Sequence, residues 1–287
     1  MNKSIDHLAF LKALPNHPQK SEMWFQQRKN KLTSSDAATA LGINPYKKPT
    51  QLLLEKCGAG RSFEGNESTI HGQKYEDEAI GKYEHIMGKE NHIFGMVSFA
   101  DLDPIRATRD SSRKYINEIY HFLGGSPDGI STDKVMTDES VLAQVEVKCP
   151  LRRKIKHGQI PEYYFPQVQL NMFILDLEVT DFIEYIPSMP GKTMEMNMVR
   201  VYRDEEWFDK NFPILQEFWA LVQLWRTKDI TTHPDYDKFF PVKVPKSTPD
   251  FLFIDDPSEE RPSSLANGAC LFVDDDDSTT TLNPVNT

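Results

Sequence analysis

Val141-Leu142-Ala143-Gln144-Val145-Glu146-Val147-Lys148 reads as one β-strand. Side chains in a strand alternate with a period of two, so Glu146 and Lys148 share one face while Val145 and Val147 point into packing on the other. Upstream, Ser126-Pro127-Asp128-Gly129 closes a glycine-rich run, Gly124-Gly125-Ser126-Pro127-Asp128-Gly129, spaced to suit a neighbouring strand joined in a hairpin-like way. Alone, Pro127-Asp128-Gly129 is better read as a turn in which Asp128 bonds its own backbone. With Glu146 and Lys148 nearby, it completes a minimal set for metal-assisted cleavage of a phosphodiester: two carboxylates to hold a divalent cation and a lysine to handle the attacking water.

A third carboxylate lies on a helical segment. Between His71 and Tyr83, the residues Glu76, Ala79, Ile80 and Tyr83 fall at i, i+3, i+4 and i+7, which places Glu76 on an otherwise apolar face. A buried charge is costly unless it is paired or bound to metal, whereas Asp77 and Glu78 face elsewhere and are expected in solvent. Glu76 as an ordinary helix-surface acid is the alternative. Gln167, Leu170, Asn171 and Ile174 share a helical spacing further on.

The residues resemble a known family. Trp24-Phe25-Gln26-Gln27-Arg28, Leu32-Thr33-Ser34-Ser35-Asp36-Ala37-Ala38, Leu41-Gly42-Ile43-Asn44-Pro45-Tyr46, Gly72 with Glu76 and Ala79, Ser126–Gly129, Val145–Pro150 and Tyr164–Phe173 follow one another in an order similar to phage lambda exonuclease and the YqaJ-like viral recombinase nucleases of the PD-(D/E)xK superfamily. The resemblance runs from about Trp24 to the region of Trp207. It implies an α/β (α+β) fold with a restriction-endonuclease-like core, a mixed central β-sheet flanked by helices, and a 5′-to-3′ exonuclease acting on ends of linear double-stranded DNA to expose 3′ single strands for recombination.

The family's roles carry over as expectations. Asp128 and Glu146 would be metal ligands, joined by the carbonyl of Val147 and, directly or through water, by Glu76. Lys148 would orient or deprotonate water, and Gln167 would hold the water, the lysine or a phosphate oxygen. Oxygen ligands suit Mg2+ or Mn2+, and no His/Cys cluster here suits zinc. Arg28, Ser35 and Ser126 would grip a terminal 5′-phosphate, since a guanidinium fork matches phosphate oxygens. Thr33-Ser34-Ser35-Asp36 would equally cap a helix, and a helix N-terminus itself favours phosphate. Arg152, Arg153 and Lys154, directly after the catalytic strand, are expected to contact the DNA backbone, although a basic run is often only a solvated loop. A structure-specific or restriction-like endonuclease is one alternative; a non-catalytic DNA-binding protein that retains the fold is another. Iron–sulfur branches of the superfamily need four cysteine ligands, and this chain has only Cys57, Cys149 and Cys270.

Composition bounds the rest. With 287 residues, 39% of them hydrophobic, the chain can bury one substantial core, and no run approaches the ~18 apolar residues of a membrane span. The start lacks an apolar secretory stretch and the cysteines have no paired spacing, so an intracellular location, cytoplasmic or nuclear, is expected. The net charge of −10 looks wrong for gripping DNA, but from Asp250 onward nine acids face Arg261 alone. Residues 1–60 hold nine Lys/Arg against four Asp/Glu, and such local patches set the electrostatic footprint. Residues 1–248 are therefore expected to form the nuclease domain and 249–287 an acidic, disordered tail, in which Phe251–Asp256 and Leu271–Asp275 alternate apolar and acidic character suited to docking or to nothing. Strands are expected around Glu90–Ile130, at Asp181–Pro187 and at Met194–Arg203. A long helix is expected from Glu205 to Thr227, with Phe208, Phe212, Leu215, Trp219 and Val222 facing the core. An annealing partner and a homo-oligomer are expectations from the resemblance; a membrane is not.

Overall fold

The chain divides into two units, Met1–Val242 and Lys243–Thr287. The computed structural model describes residues 3–60 and 65–241, all within the first unit. Both the expected boundary at 248 and the tail motifs at Phe251–Asp256 and Leu271–Asp275 lie outside the described residues.

Four helices and one short strand open the chain: α1 (Lys3–Ala13), α2 (Glu22–Lys29), β1 (Leu32–Thr33), α3 (Ala37–Ala40) and α4 (Pro49–Lys56). Next come α5 (Glu67–Met87), β2 (Lys89–His92), β3 (Val97–Ser98), α6 (Asp103–Arg106), β4 (Leu123–Gly125), β5 (Gly129–Asp133) and β6 (Ala143–Lys148). The series ends with α7 (Phe165–Leu175), β7 (Val179–Ile186), β8 (Glu195–Tyr202), α8 (Glu205–Arg226) and α9 (Tyr236–Phe239). Five strands form the main sheet in the order β2-β5-β6-β7-β8; only the β6–β7 pair is parallel. A smaller sheet, β1-β4-β3, stands beside it. The fold is thus a mixed sheet flanked by helices.

The central strand is shorter than the sequence suggests. It starts at Ala143, because Val141 is half exposed while Leu142 turns into the core. Val145 and Val147 do point into packing: they meet Ala79, Ile80 and Tyr83 of α5, together with Ile183 and Tyr185 of β7. The opposite face belongs to α7, the crossover that a parallel β6–β7 pair requires. Val168 and Met172 of α7 pack there on Phe182 and Val201, while Leu170, Phe173 and Ile174 join the main core. Nearly every residue of α7 is buried, and its two fully buried polar side chains are bonded inside, Gln169 to the Tyr202 carbonyl and Asn171 to Glu146. In α8, Asp204 caps the first turn by accepting from Trp207 N, and Phe208, Phe212, Leu215, Trp219 and Val222 face the core as their spacing predicts. Phe208 stacks on Phe173 at 3.9 Å between ring centroids.

Between β3 and β4 the expected strands give way to 3-10 turns and the short α6. Arg106 explains why this stretch is held so tightly. Its buried guanidinium donates to the carbonyls of Phe173 and Ile174 at 2.7 and 2.8 Å, satisfying acceptors that the last turn of α7 leaves open. Asp176, the left-handed residue that ends α7 (φ 53°), is in turn held by Arg109, Arg203 and Ser112.

Candidate active site

Asp128 immediately precedes β5, which pairs antiparallel with the next strand, β6, so the expected hairpin-like pairing is present. Asp128 itself lies in the crossover from β4, in the small sheet, to β5, in the main sheet. Gly129 pairs with Val145, so Asp128 arrives at the level of Glu146, and its Oδ2 accepts a 2.7 Å hydrogen bond from Val147 N. The glycines of this run serve close approach rather than a turn. A Cβ on Gly125 would lie 2.2 Å from Asn171 Oδ1, and one on Gly129 would lie 2.1 Å from Asn91 Oδ1.

Glu146 projects from the α7 face of β6 and is 1% exposed. Its Oε1 accepts from Lys148 Nζ and from Gln167 Nε2, each at 2.5 Å. Its Oε2 accepts weakly from Gln144 Nε2 (3.3 Å) and Asn171 Nδ2 (3.5 Å). The structure therefore brings Glu146, Lys148 and Gln167 into one bonded group with Asp128 alongside. Glu76, half-buried on α5, closes the opposite wall, where a cleft of ≈750 Å³ is also lined by Lys148, Lys20 and Arg152. Glu76 and Lys20 border a second cavity of ≈360 Å³ that reaches Asp128.

Burial dominates the electrostatics. It pushes the Glu146 carboxyl up to about 7, with Lys148 opposing and Asp128 and Glu76 adding to the rise. Glu76 is raised to about 7 as well, by burial and then by Asp128. Asp128 is raised by burial against the pull of Lys148. Burial would lower the Lys148 ammonium, but Glu146 and Asp128 outweigh it and hold the group well above its ordinary value. Carboxylates that resist ionisation together form a site short of positive charge.

Among the described residues, no three His, Cys, Asp or Glu side chains gather closely enough to hold a metal ion as they stand. Mg2+ does not need such a cage, because it keeps several waters and binds through one or two carboxylates. Asp128 leaves Oδ1 free of its bond to Val147, and Glu146 faces it from the next strand. This hard-oxygen pair fits a hydrated divalent cation.

The three candidate phosphate-binding residues also meet, with Trp24 as their hub. Arg28 lies over the Trp24 ring at 4.5 Å, and its Nη2 donates to Ser35 Oγ at 2.7 Å. On its other side, the indole Nε1 donates to Ser126 Oγ at 3.1 Å. Thr33 and Asp36 cap their turn with each other, which leaves Ser35 exposed toward Arg28. Desolvation lowers the Arg28 pKa, opposed by Asp36. The guanidinium stays charged, and an anion would relieve that cost. The basic run divides. Arg152 and Lys154 stand in solvent, with Arg152 paired to Glu67 at 2.6 Å, while Arg153 turns inward to the fully buried Glu184, Nη2 to Oε1 2.5 Å.

To several neighbours the sequence assigns no role. Asn171 supports Glu146, and Tyr164 lies beneath Lys148 with its ring centroid 5.1 Å from Nζ. Lys20, a rare non-glycine residue with φ 68°, faces Glu76 and Asp128. The one visible signal among them is Asn171, which with Gln169 interrupts the otherwise apolar run 168–175.

Residues 23–181 match the model of the YqaJ-like viral recombinase domain. The chain belongs to that family. This YqaJ-like chain is 30% identical over 186 residues to an uncharacterized protein of Acanthamoeba polyphaga mimivirus, covering 62% of this chain and 31% of the relative. It is 27% identical over 177 residues to a protein of African swine fever virus, covering 56% and 47%. It therefore spans less than half the length of these curated relatives. Among solved structures it resembles an alkaline exonuclease, LHK-Exo, from Laribacter hongkongensis, with a TM-score of 0.52, 20% identity, and coverage of 72% of this chain and 95% of that one. The same enzyme in complex with dAMP gives 0.54. At that identity the likeness establishes a shared fold. Among the described residues no helix is long and apolar enough to cross a membrane.

Proposed function

We propose that this YqaJ-like chain is a divalent-metal-dependent deoxyribonuclease that digests linear double-stranded DNA from a 5′ end and exposes 3′ single strands to an annealing protein. The observation that carries the reading is the group Glu146, Lys148 and Gln167, bonded at one carboxylate oxygen, with Asp128 alongside on Val147 N and the Arg28–Ser35 fork joined to it through Trp24 and Ser126. A phosphodiester is cut by an attacking water, and these residues divide the work. Asp128 and Glu146, with the Val147 carbonyl and Glu76 as further donors, would hold Mg2+ or Mn2+. The ion supplies charge neutralisation at the phosphate and a more acidic water. Gln167 and Lys148 converge on the same oxygen of Glu146. Gln167 thereby fixes the carboxylate, and Lys148 places an ammonium where it can orient the water and pass a proton. Arg28 and Ser35, linked to Ser126 through Trp24, would grip a terminal phosphate and give the enzyme its end.

The test uses one linear duplex labelled separately at each 5′ and 3′ end, prepared with 5′-phosphate or 5′-hydroxyl, beside a covalently closed circle. In Mg2+, the 5′ label should be released first, the phosphorylated end should go faster, and the circle should survive. Arg28→Ala should slow the phosphorylated substrate by roughly 10–100-fold, the scale of a hydrogen bond to a charged group, and erase the difference between ends. Equal rates on both ends in the wild type, or ready nicking of the circle, would replace this reading with an endonuclease.

A further inference from the structure

The catalytic cleft has an aromatic wall that the bond-cutting residues do not use. Tyr46 is 77% exposed at its rim, a large aromatic surface given to water. It is not carried on a slack loop. Asn44 Oδ1 accepts from Tyr46 N at 2.9 Å, and Asn44 Nδ2 donates to Thr39 Oγ1 at 2.7 Å. Ile43 N and Asn44 N both bond to Ala38 O, and the next residue, Lys47, is paired with Glu55. Behind Tyr46 stands Tyr163, with ring centroids 5.7 Å apart and planes at 87°, so the two meet edge to face and do not stack on each other. Tyr163 in turn touches Tyr164 at 4.4 Å, and Tyr164 lies beneath Lys148. A continuous run of three rings thus leads from the catalytic lysine to the surface. Cations border the same cleft: Lys20 and Arg152 are both exposed, Arg152 in a surface pair with Glu67 that solvent screens, and Lys148 lies at its inner end.

An aromatic face fixed beside cations is the arrangement that binds single-stranded nucleic acid, because every base has a π-face and every nucleotide brings a phosphate. We infer that Tyr46 is a stacking platform for an unpaired nucleobase at the mouth of the cleft, with Tyr163 bracing it and Arg152 and Lys20 facing the strand's phosphates. The inference rests on the nuclease reading for its substrate but on none of the bond-cutting residues.

The test compares full-length wild type, Tyr46→Ala and Tyr46→Trp in two assays. Steady-state digestion of linear duplex in Mg2+ should show KM raised about 10-fold in Tyr46→Ala, a loss in the range measured for removing a base-stacking ring. Turnover at saturation and the melting temperature should be unchanged, and Tyr46→Trp should restore KM. In EDTA, a single-stranded oligonucleotide carrying terminal 2-aminopurine should be quenched on binding wild type and Tyr46→Trp, but not Tyr46→Ala. If wild type digests DNA while Tyr46→Ala keeps its KM and its quenching, the platform is refuted and the nuclease reading stands. A KM defect that tryptophan fails to rescue also refutes it. A wild type with no nuclease activity overturns the proposed function, and the quenching in EDTA still decides whether a base stacks on Tyr46.

Discussion

Glu146→Gln should make the metal-free protein more stable while removing its activity. Glu146 is fully enclosed, and its carboxyl is pushed from 4.5 up to about 7, first by burial and further by Asp128 and Glu76. A group whose acid form is favoured in the folded state destabilises that state once it must ionise. Below pH 4.5 both states hold the proton and there is no penalty. Between 4.5 and about 7 the unfolded chain ionises first and stability falls; above 7 the full cost is present. At about 1.4 kcal/mol per pH unit, the cost at pH 8 is ~3 kcal/mol. A glutamine keeps an oxygen for Lys148 and Gln167. Its NH2 would meet Asn171, whose Oδ1 has no partner and becomes an acceptor if the amide flips. At roughly 2–4 °C per kcal/mol for a domain of this size, Glu146→Gln should melt about 6–12 °C above wild type at pH 8 in EDTA. The gap should close below pH 5. Saturating Mg2+ should narrow it, because a ligand that binds only the folded wild type stabilises that state. A gap that ignores pH and metal, or a variant less stable than wild type in EDTA, would show that Glu146 is not a strained carboxylate awaiting a cation.

Lys148→Ala should lower turnover at least ~100-fold, the usual scale for a proton-transfer group, with DNA affinity little changed; retained turnover with lost binding would make the lysine a phosphate anchor only. Arg153→Met should cost ~3–5 kcal/mol in urea unfolding, because it strands the buried charge of Glu184; a cost under ~1 kcal/mol would mean that Arg153 is free for DNA.

What sequence revealed follows from which interactions are local. Val145 and Val147 alternate with Glu146 and Lys148, and period two is fixed by the backbone, so the strand and its functional face were both legible. The same holds for Phe208 through Val222 on α8. Asp128 stands out in the sequence as a candidate ligand but not in its setting, because Gly125 and Gly129 look like turn residues until Asn171 and Asn91 are placed against them. The basic run read as one loop, yet Lys148 is paired in register with Glu184, and that distant acid draws Arg153 inward while leaving Arg152 outside. Trp24 stands in a recognisable motif, but its bond to Ser126 joins residues 102 apart in sequence. No spacing rule predicts such a contact.

The charges around the cleft also bear on how a chain of net charge −10 could approach DNA. Lys148 and Lys20 face Asp128, Glu146 and Glu76, so the ionised site without a cation carries an excess negative charge where the scissile phosphate must sit. Over such short distances within a partly dry cleft that repulsion is not screened by salt. The Arg28 fork is different: its guanidinium is desolvated, has Asp36 as its only carboxylate partner in the balance, and is held rigid by Trp24 and Ser35. Such a group would attract a phosphate with or without metal. On the proposed reading, the two ends of the site would favour capture in sequence, with a terminal phosphate held first at Arg28 and the scissile phosphate accepted once a cation had neutralised Asp128 and Glu146. If Arg28 holds a terminal phosphate as proposed, cutting would be favoured where a strand ends, since an internal bond offers no such group to Arg28.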